Sequence, residues 1–203
     1  MKTLGLLGGM SWESTAIYYR LLNEIVRERV GGLHSAKLLL WSFDFAEIAE
    51  RQHAGNWEGA GVLLVEAARG LEAAGAQGLV ICTNTMHKLA DEVQAAVSIP
   101  LIHIADATAR AVVHAGVKHP ALLATRFTME QDFYKGRLAD KYGLQPVVPD
   151  QAGRDMVHQV IYDELCQASS ANHRKRPMSM RSPACGARRP WTASSWAARR
   201  SPC

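Results

Sequence analysis

Cys82 is followed at once by Thr83, Asn84 and Thr85. A thiol backed by hydroxyls and an amide places a proton-transfer or nucleophilic group beside donors suited to a carboxylate. At the carboxyl end of a strand, facing the positive end of the next helix, such a thiol would have a lowered pKa. A small buried strand cysteine is the plainer alternative. The polar run behind Cys82 speaks against it, because an ordinary strand-to-helix loop needs one cap. His87 is either a base for this cysteine or a solvent-facing helical histidine.

Two further segments could meet the same ligand. Gly8-Gly9-Met10-Ser11 is a glycine turn whose backbone N–H groups could hold an anion, or a tight turn with Ser11 as a helix cap. It lacks the G-x-G-x-x-G spacing of a dinucleotide site. Thr125 and Thr128 stand directly after the apolar run 121–124, as ligand donors or with Thr128 as an N-cap. Arg51-Gln52-His53 adds a cation that is either functional or simply solvated.

The elements that would carry these groups alternate strand and helix. Strands are predicted at 2–7, 36–43, 78–82, 101–104, 121–124 and 146–148. Helices are predicted at 12–29, 57–74, 85–97, 106–115, 128–141 and 154–166. Ile17, Leu21 and Ile25 suggest the core-facing stripe of the first helix, and Val62, Val65 and Leu71 that of the second. The pattern predicts an α/β fold with parallel sheets and right-handed crossovers, with ligands at the strands' carboxyl ends. It restarts near Ser98–Pro100, which divides the chain into units at 1–98 and 99–167.

The chain has 203 residues, enough for a buried core, and no apolar run long enough to span a membrane. Its N-terminus reaches Gly8-Gly9 too soon for a secretory signal, and its four cysteines form neither a metal-binding pattern nor a disulfide framework. A reducing cytoplasm is expected, with no membrane partner. The net charge of +4 is uneven: residues 168–203 hold eight Lys and Arg and no Asp or Glu, leaving the rest at −4. That segment also lacks Leu, Ile, Val, Phe and Tyr, so a disordered tail is expected.

Four motifs in order carry a resemblance: Gly5-Leu6-Leu7-Gly8-Gly9-Met10-Ser11-Trp12-Glu13-Ser14-Thr15, Cys82-Thr83-Asn84-Thr85-Met86-His87-Lys88, Leu123-Ala124-Thr125-Arg126-Phe127-Thr128-Met129 and Ile161-Tyr162-Asp163-Glu164-Leu165. Over residues 1–167 the chain resembles the aspartate/glutamate racemase family. The resemblance implies two pseudo-symmetric α/β domains with the active site between them, and no pyridoxal, other cofactor or metal. It implies racemization of an acidic amino acid by two cysteines on opposite faces of the α-carbon. Cys82 would be one acid/base. Thr83 and Asn84 would bind the substrate carboxylate, assisted by the Met10-Ser11 backbone, Gln52, Thr125 and Thr128. A small amino acid is the expected partner, and a homodimer is compatible with the sequence. A hydantoin racemase or a one-cysteine malonate decarboxylase is the neighbouring alternative within the wider group.

After Gln167 the resemblance stops. The family would continue into a strand ending in Gly-Cys-Thr-Glu; Cys185 and Cys203 do not stand in such a setting, so the second domain reads as truncated and the second cysteine as missing. Two further readings follow: an inactive remnant, or a nucleic-acid-binding module with the basic tail as its arm. The tail has little aromatic interleaving beyond Trp191 and Trp196, which disfavours nucleic acid. Read one nucleotide earlier, residues 191–201 are compatible, by a choice among synonymous codons, with Met-Asp-Gly-Val-Ile-Leu-Gly-Cys-Thr-Glu-Ile, which points to a frameshift near Gln167. Sequencing the coding DNA is expected to find that strand in the neighbouring frame; a coding DNA that does not spell Gly-Cys-Thr-Glu there rejects the frameshift.

Overall fold

A computed structural model describes residues 1–166. Strands β1 (Leu4–Gly8), β2 (Leu38–Ser42) and β3 (Leu79–Ile81) form a parallel sheet in the order β2-β1-β3. The helices are α1 (Trp12–Val30), α2 (Phe45–His53), α3 (Trp57–Ala73), α4 (Ala90–Ala96), α5 (Ile104–His114), α6 (Arg126–Glu130), α7 (Asp132–Tyr142) and α8 (Gln151–Val160). A 3-10 turn, Thr85–Leu89, precedes α4, and a π-helical turn, Ile161–Leu165, follows α8. The α/β class expected from the alternation is what the chain adopts. Among the described residues no helix is long and apolar enough to cross a membrane.

The central strand is buried and apolar because both sheet faces are covered. Leu6, Leu7, Leu79 and Ile81 are inaccessible to solvent. The buried surface of α3, which packs on β1, β2 and the neighbouring helices, is made of small residues and leucines: Ala60, Gly61, Leu64, Ala67, Ala68 and Leu71. Small side chains let the helix approach closely, and each buried leucine contributes about 1.5–3 kcal/mol. Val62, expected on that face, is exposed.

Helix α1 corrects the sequence expectation more sharply. Ile17, Leu21 and Ile25 are 50%, 44% and 42% exposed, so they do not face the core. The inward positions are Thr15, which is buried, and the partly buried Tyr18, Leu22 and Val26. Both stripes fit a 3.6-residue period. The choice is made by Thr15, whose hydroxyl accepts the Gly9 N–H (2.9 Å) and donates to the Ser11 carbonyl (3.0 Å).

Beyond residue 98 strand pairing shrinks. Leu101 meets Leu79 and Ala121 meets Val147, each through an isolated parallel bridge. The strands expected at 101–104, 121–124 and 146–148 are therefore single contacts, and Ile104 already opens α5. The helix expected at 128–141 is broken at Gln131 into α6 and α7, and that expected at 154–166 starts three residues earlier and finishes as the π turn. Helices α5 and α7 instead pack through Ala105, Ala109, Tyr134 and Leu138. A bidentate pair, Arg137 Nε and Nη2 to Asp106 at 2.7 and 2.9 Å, ties them, and Lys141 adds a third contact at 2.7 Å. Hydrogen bonding to Arg137 holds the Asp106 carboxyl well below its usual range. The basic segment 168–203 lies outside the described residues.

The β1–α1 turn depends on Gly9. Its φ of +84° is left-handed, and a β-carbon there would fall against the backbone of Phe43. Gly9→Ala is expected to destabilise the fold by at least about 1–3 kcal/mol, read as a lowered urea midpoint.

Candidate active site

Parallel pairing of β1 with β3 sets Leu7 beside Ile81, so the two strands end together and release Gly8-Gly9 and Cys82-Thr83 at one sheet edge. The Cys82 N–H donates to the Leu7 carbonyl at 2.9 Å. Ser14, on the first turn of α1, closes the corner: its Oγ lies 2.9 Å from the carbonyl oxygens of both Ser11 and Cys82, which share its one proton. Ser11 stands at the N-cap position, but its side chain makes no capping bond; its carbonyl, which takes the Thr15 hydroxyl, does the local work.

A cleft of about 430 Å³ opens between this edge and the second half of the chain. Its walls include Met10, Ser11, Cys82, Thr83, Asn84 and Thr125, six of the eight residues the sequence points to. The other two stand behind the wall. Gln52 is buried, with its amide donating to Met86 Sδ (2.9 Å) and its carbonyl accepting the Tyr162 hydroxyl (2.9 Å). Thr128 is fully buried in α6 and reaches the cleft only through a hydroxyl chain, Thr85 to Thr125 at 2.8 Å and Thr125 to Thr128 at 3.2 Å. That chain joins the two halves. A separate depression of about 370 Å³ on α1, lined by Tyr19, Arg20 and Glu24 among others, holds none of these groups.

The thiol itself departs from expectation. Cys82 is 1% exposed, and burial pushes its pKa up to about 12 rather than down. Only a short 3-10 turn follows it, with no regular α-helix end aimed at the sulfur, so desolvation dominates. Burial likewise raises the neighbouring Tyr18 hydroxyl to about 12.

His87 is neither an exposed histidine nor a free base. It is buried, its Nδ1 is 2.7 Å from the Thr83 carbonyl, and its Nε2 is 3.1 Å from the Ile104 N–H. Only the tautomer with hydrogen on Nδ1 satisfies both, donating to Thr83 and accepting from Ile104. The ring packs at 4.5 Å against His103, whose Nδ1 accepts the Ala105 N–H as the cap of α5. Both nitrogens of His87 are thus spent on positioning. Sequence reading gave no site role to Glu13, Ser14, Tyr18 and Cys166, all on the cleft wall. Glu13 and Ser14 lie inside the first quoted motif, Cys166 directly follows the last, and Tyr18 stands one helical turn beyond Thr15.

Burial lowers His87 to about 3 and His103 to about 4, against an ordinary 6.5. The unfolded chain therefore takes up these protons first as pH falls, so the stability they confer is complete above pH about 6.5 and drains below it. Between pH about 6 and 5, unfolding free energy is expected to fall by about 1 kcal/mol per pH unit on account of His87, with a smaller share from the more solvated His103. Urea titrations at the two pH values check this, and His87→Gln should flatten the slope.

The family model for Asp/Glu/hydantoin racemases matches residues 7–181. A candidate Asp/Glu racemase from Yersinia pestis shares 53% identity and superposes with a TM-score of 0.76, over 82% of this chain and 73% of that one. An aspartate racemase homologue from Pyrococcus horikoshii OT3 is 36% identical with a TM-score of 0.70, over the same shares. The Picrophilus torridus aspartate racemase, 24% identical, shares the fold with a TM-score of 0.65 over 80% of this chain and 67% of its own. With its cysteine, threonines and glycine turn gathered on one cleft, this chain belongs to the Asp/Glu/hydantoin racemase family, a family of isomerases.

Proposed function

We propose that this chain moves the α-proton of an amino acid, aspartate or glutamate by expectation, with Cys82 as the proton-transferring group and no cofactor. The observation that carries the reading is the placement of the Cys82 thiol on one cleft with Thr83, Asn84 and Thr125. The substrate carboxylate takes the hydroxyl and amide donors. The Cys82 thiolate takes the α-hydrogen, so the Cα–H bond breaks and an S–H bond forms. The electron pair left on the α-carbon spreads into the carboxylate, where the same donors offset the growing charge. Racemization needs a proton returned from the opposite face, and the sequence lacks the second Gly-Cys-Thr-Glu strand. This chain therefore exchanges the α-hydrogen faster than it inverts the centre.

Incubation with L-aspartate or L-glutamate in D2O tests this by NMR and chiral chromatography. Deuterium is expected at the α-carbon, with inversion at least about tenfold slower than exchange. Cys82→Ser should abolish exchange, and a Cys82→Ser variant that still exchanges overturns the proposal. Inversion as fast as exchange overturns the impairment, and Cys166→Ser would then show whether the thiol on the cleft wall supplies the returning proton.

The exchange rate is also expected to rise about tenfold per pH unit from pH 7 to 10, because the thiolate fraction does so below a pKa of about 12. A flat profile would mean that the base is another group.

A further inference from the structure

We infer that Glu13 is the anchor for the substrate's ammonium group, an inference that rests on the amino-acid reading above. Glu13 lies on the first turn of α1 and on the wall of the Cys82 cleft. One of its carboxylate oxygens, Oε2, is shut off from solvent and has no hydrogen-bond partner. Among the described residues it is the one buried side-chain oxygen or nitrogen left in that condition. A buried carboxylate oxygen that no protein donor meets is costly, and a ligand's donor is one way such a group is satisfied.

The rest of the cleft says which donor. Glu13 is the one carboxylate among the described wall residues, and no Lys, Arg or His stands with it. Beside it the Ser14 proton goes to the Ser11 and Cys82 carbonyls, the Ser11 carbonyl is taken by Ser14 and Thr15, and the Ser11 hydroxyl is turned to the Cys166 thiol. The same cleft also carries Thr83, Asn84 and Thr125, whose hydroxyls and amide suit an anion. A zwitterion spans the two: its carboxylate faces the threonine side, and its ammonium, with three N–H donors and a positive charge, meets Glu13. Ile104, Leu123 and Ile161 close the remaining wall with apolar surface.

Glu13 therefore selects for an α-amino group, and the deaminated analogue of a substrate leaves it unpaired. Binding of L-aspartate and succinate, and of L-alanine and propionate, to the full chain and to Glu13→Gln is the test, read by calorimetry or ligand-observed NMR. The wild type should bind at least one amino acid about ten- to a hundredfold more tightly than its deaminated partner. Glu13→Gln, which keeps the shape and removes the charge, should erase that preference while leaving the deaminated acid bound as before. Equal affinity for both members of each pair in the wild type overturns the inference, as does a Glu13→Gln variant that keeps the preference or weakens both ligands alike. The two proposals fail separately: exchange that survives Cys82→Ser removes the proton-transfer reading without touching the amino-acid preference, and loss of the preference leaves Cys82-dependent exchange in place.

Discussion

The imidazole of His87 joins the cysteine loop to the second half of the chain. Its Nδ1 proton fixes the Thr83 carbonyl, its Nε2 takes the first N–H of α5, and its ring rests on the residue that caps that helix. An unprotonated ring is the one state that can do both, since a charged imidazolium would present a donor to the Ile104 N–H. Burial enforces neutrality. The Cys82 loop and α5, which share little strand pairing, thereby keep one spacing, and the cleft between them inherits it. The Thr85–Thr125–Thr128 hydroxyl chain crosses the same gap beside it.

Much of this was legible in the amino-acid sequence where local chemistry decides. The first three strands, the long first helix and the gathering of Gly8–Ser11, Cys82–Asn84 and Thr125 about one cleft follow from apolar runs, glycine turns and the rule that loops at strand ends face the ligand. Where two solutions share one periodicity, the sequence is silent. Helix α1 carries apolar residues on two adjacent stripes, and a single threonine contact with the glycine turn decides which meets the sheet. The later strands failed for another reason. Short apolar runs such as 101–104 need neighbouring strands to become a sheet, and those neighbours are absent among the described residues.

The site shows the same division. Residue types pointed to Cys82 and its threonines because donors and a thiol in sequence are a local signal. They could not show that Gln52 and Thr128 would be consumed by Met86, Tyr162 and Thr125, since those partners are remote in the chain. Nor could they show the sign of the Cys82 shift, which depends on how thoroughly the surrounding chain excludes water. Glu13 escaped notice as a favourable residue for a helix start, a role any carboxylate could fill; its meaning lies in the partner its buried oxygen lacks.

The depth of Cys82 has a consequence for durability. Oxidants attack the ionised sulfur, and exposed, acidic cysteines are the first to reach the sulfenic state. A sulfur kept protonated and almost wholly out of contact with solvent gives peroxide little to react with while the cleft is empty. The same burial that makes this group a reluctant base makes it a long-lived one, and its vulnerability is confined to the small ionised fraction that also does the proton transfer.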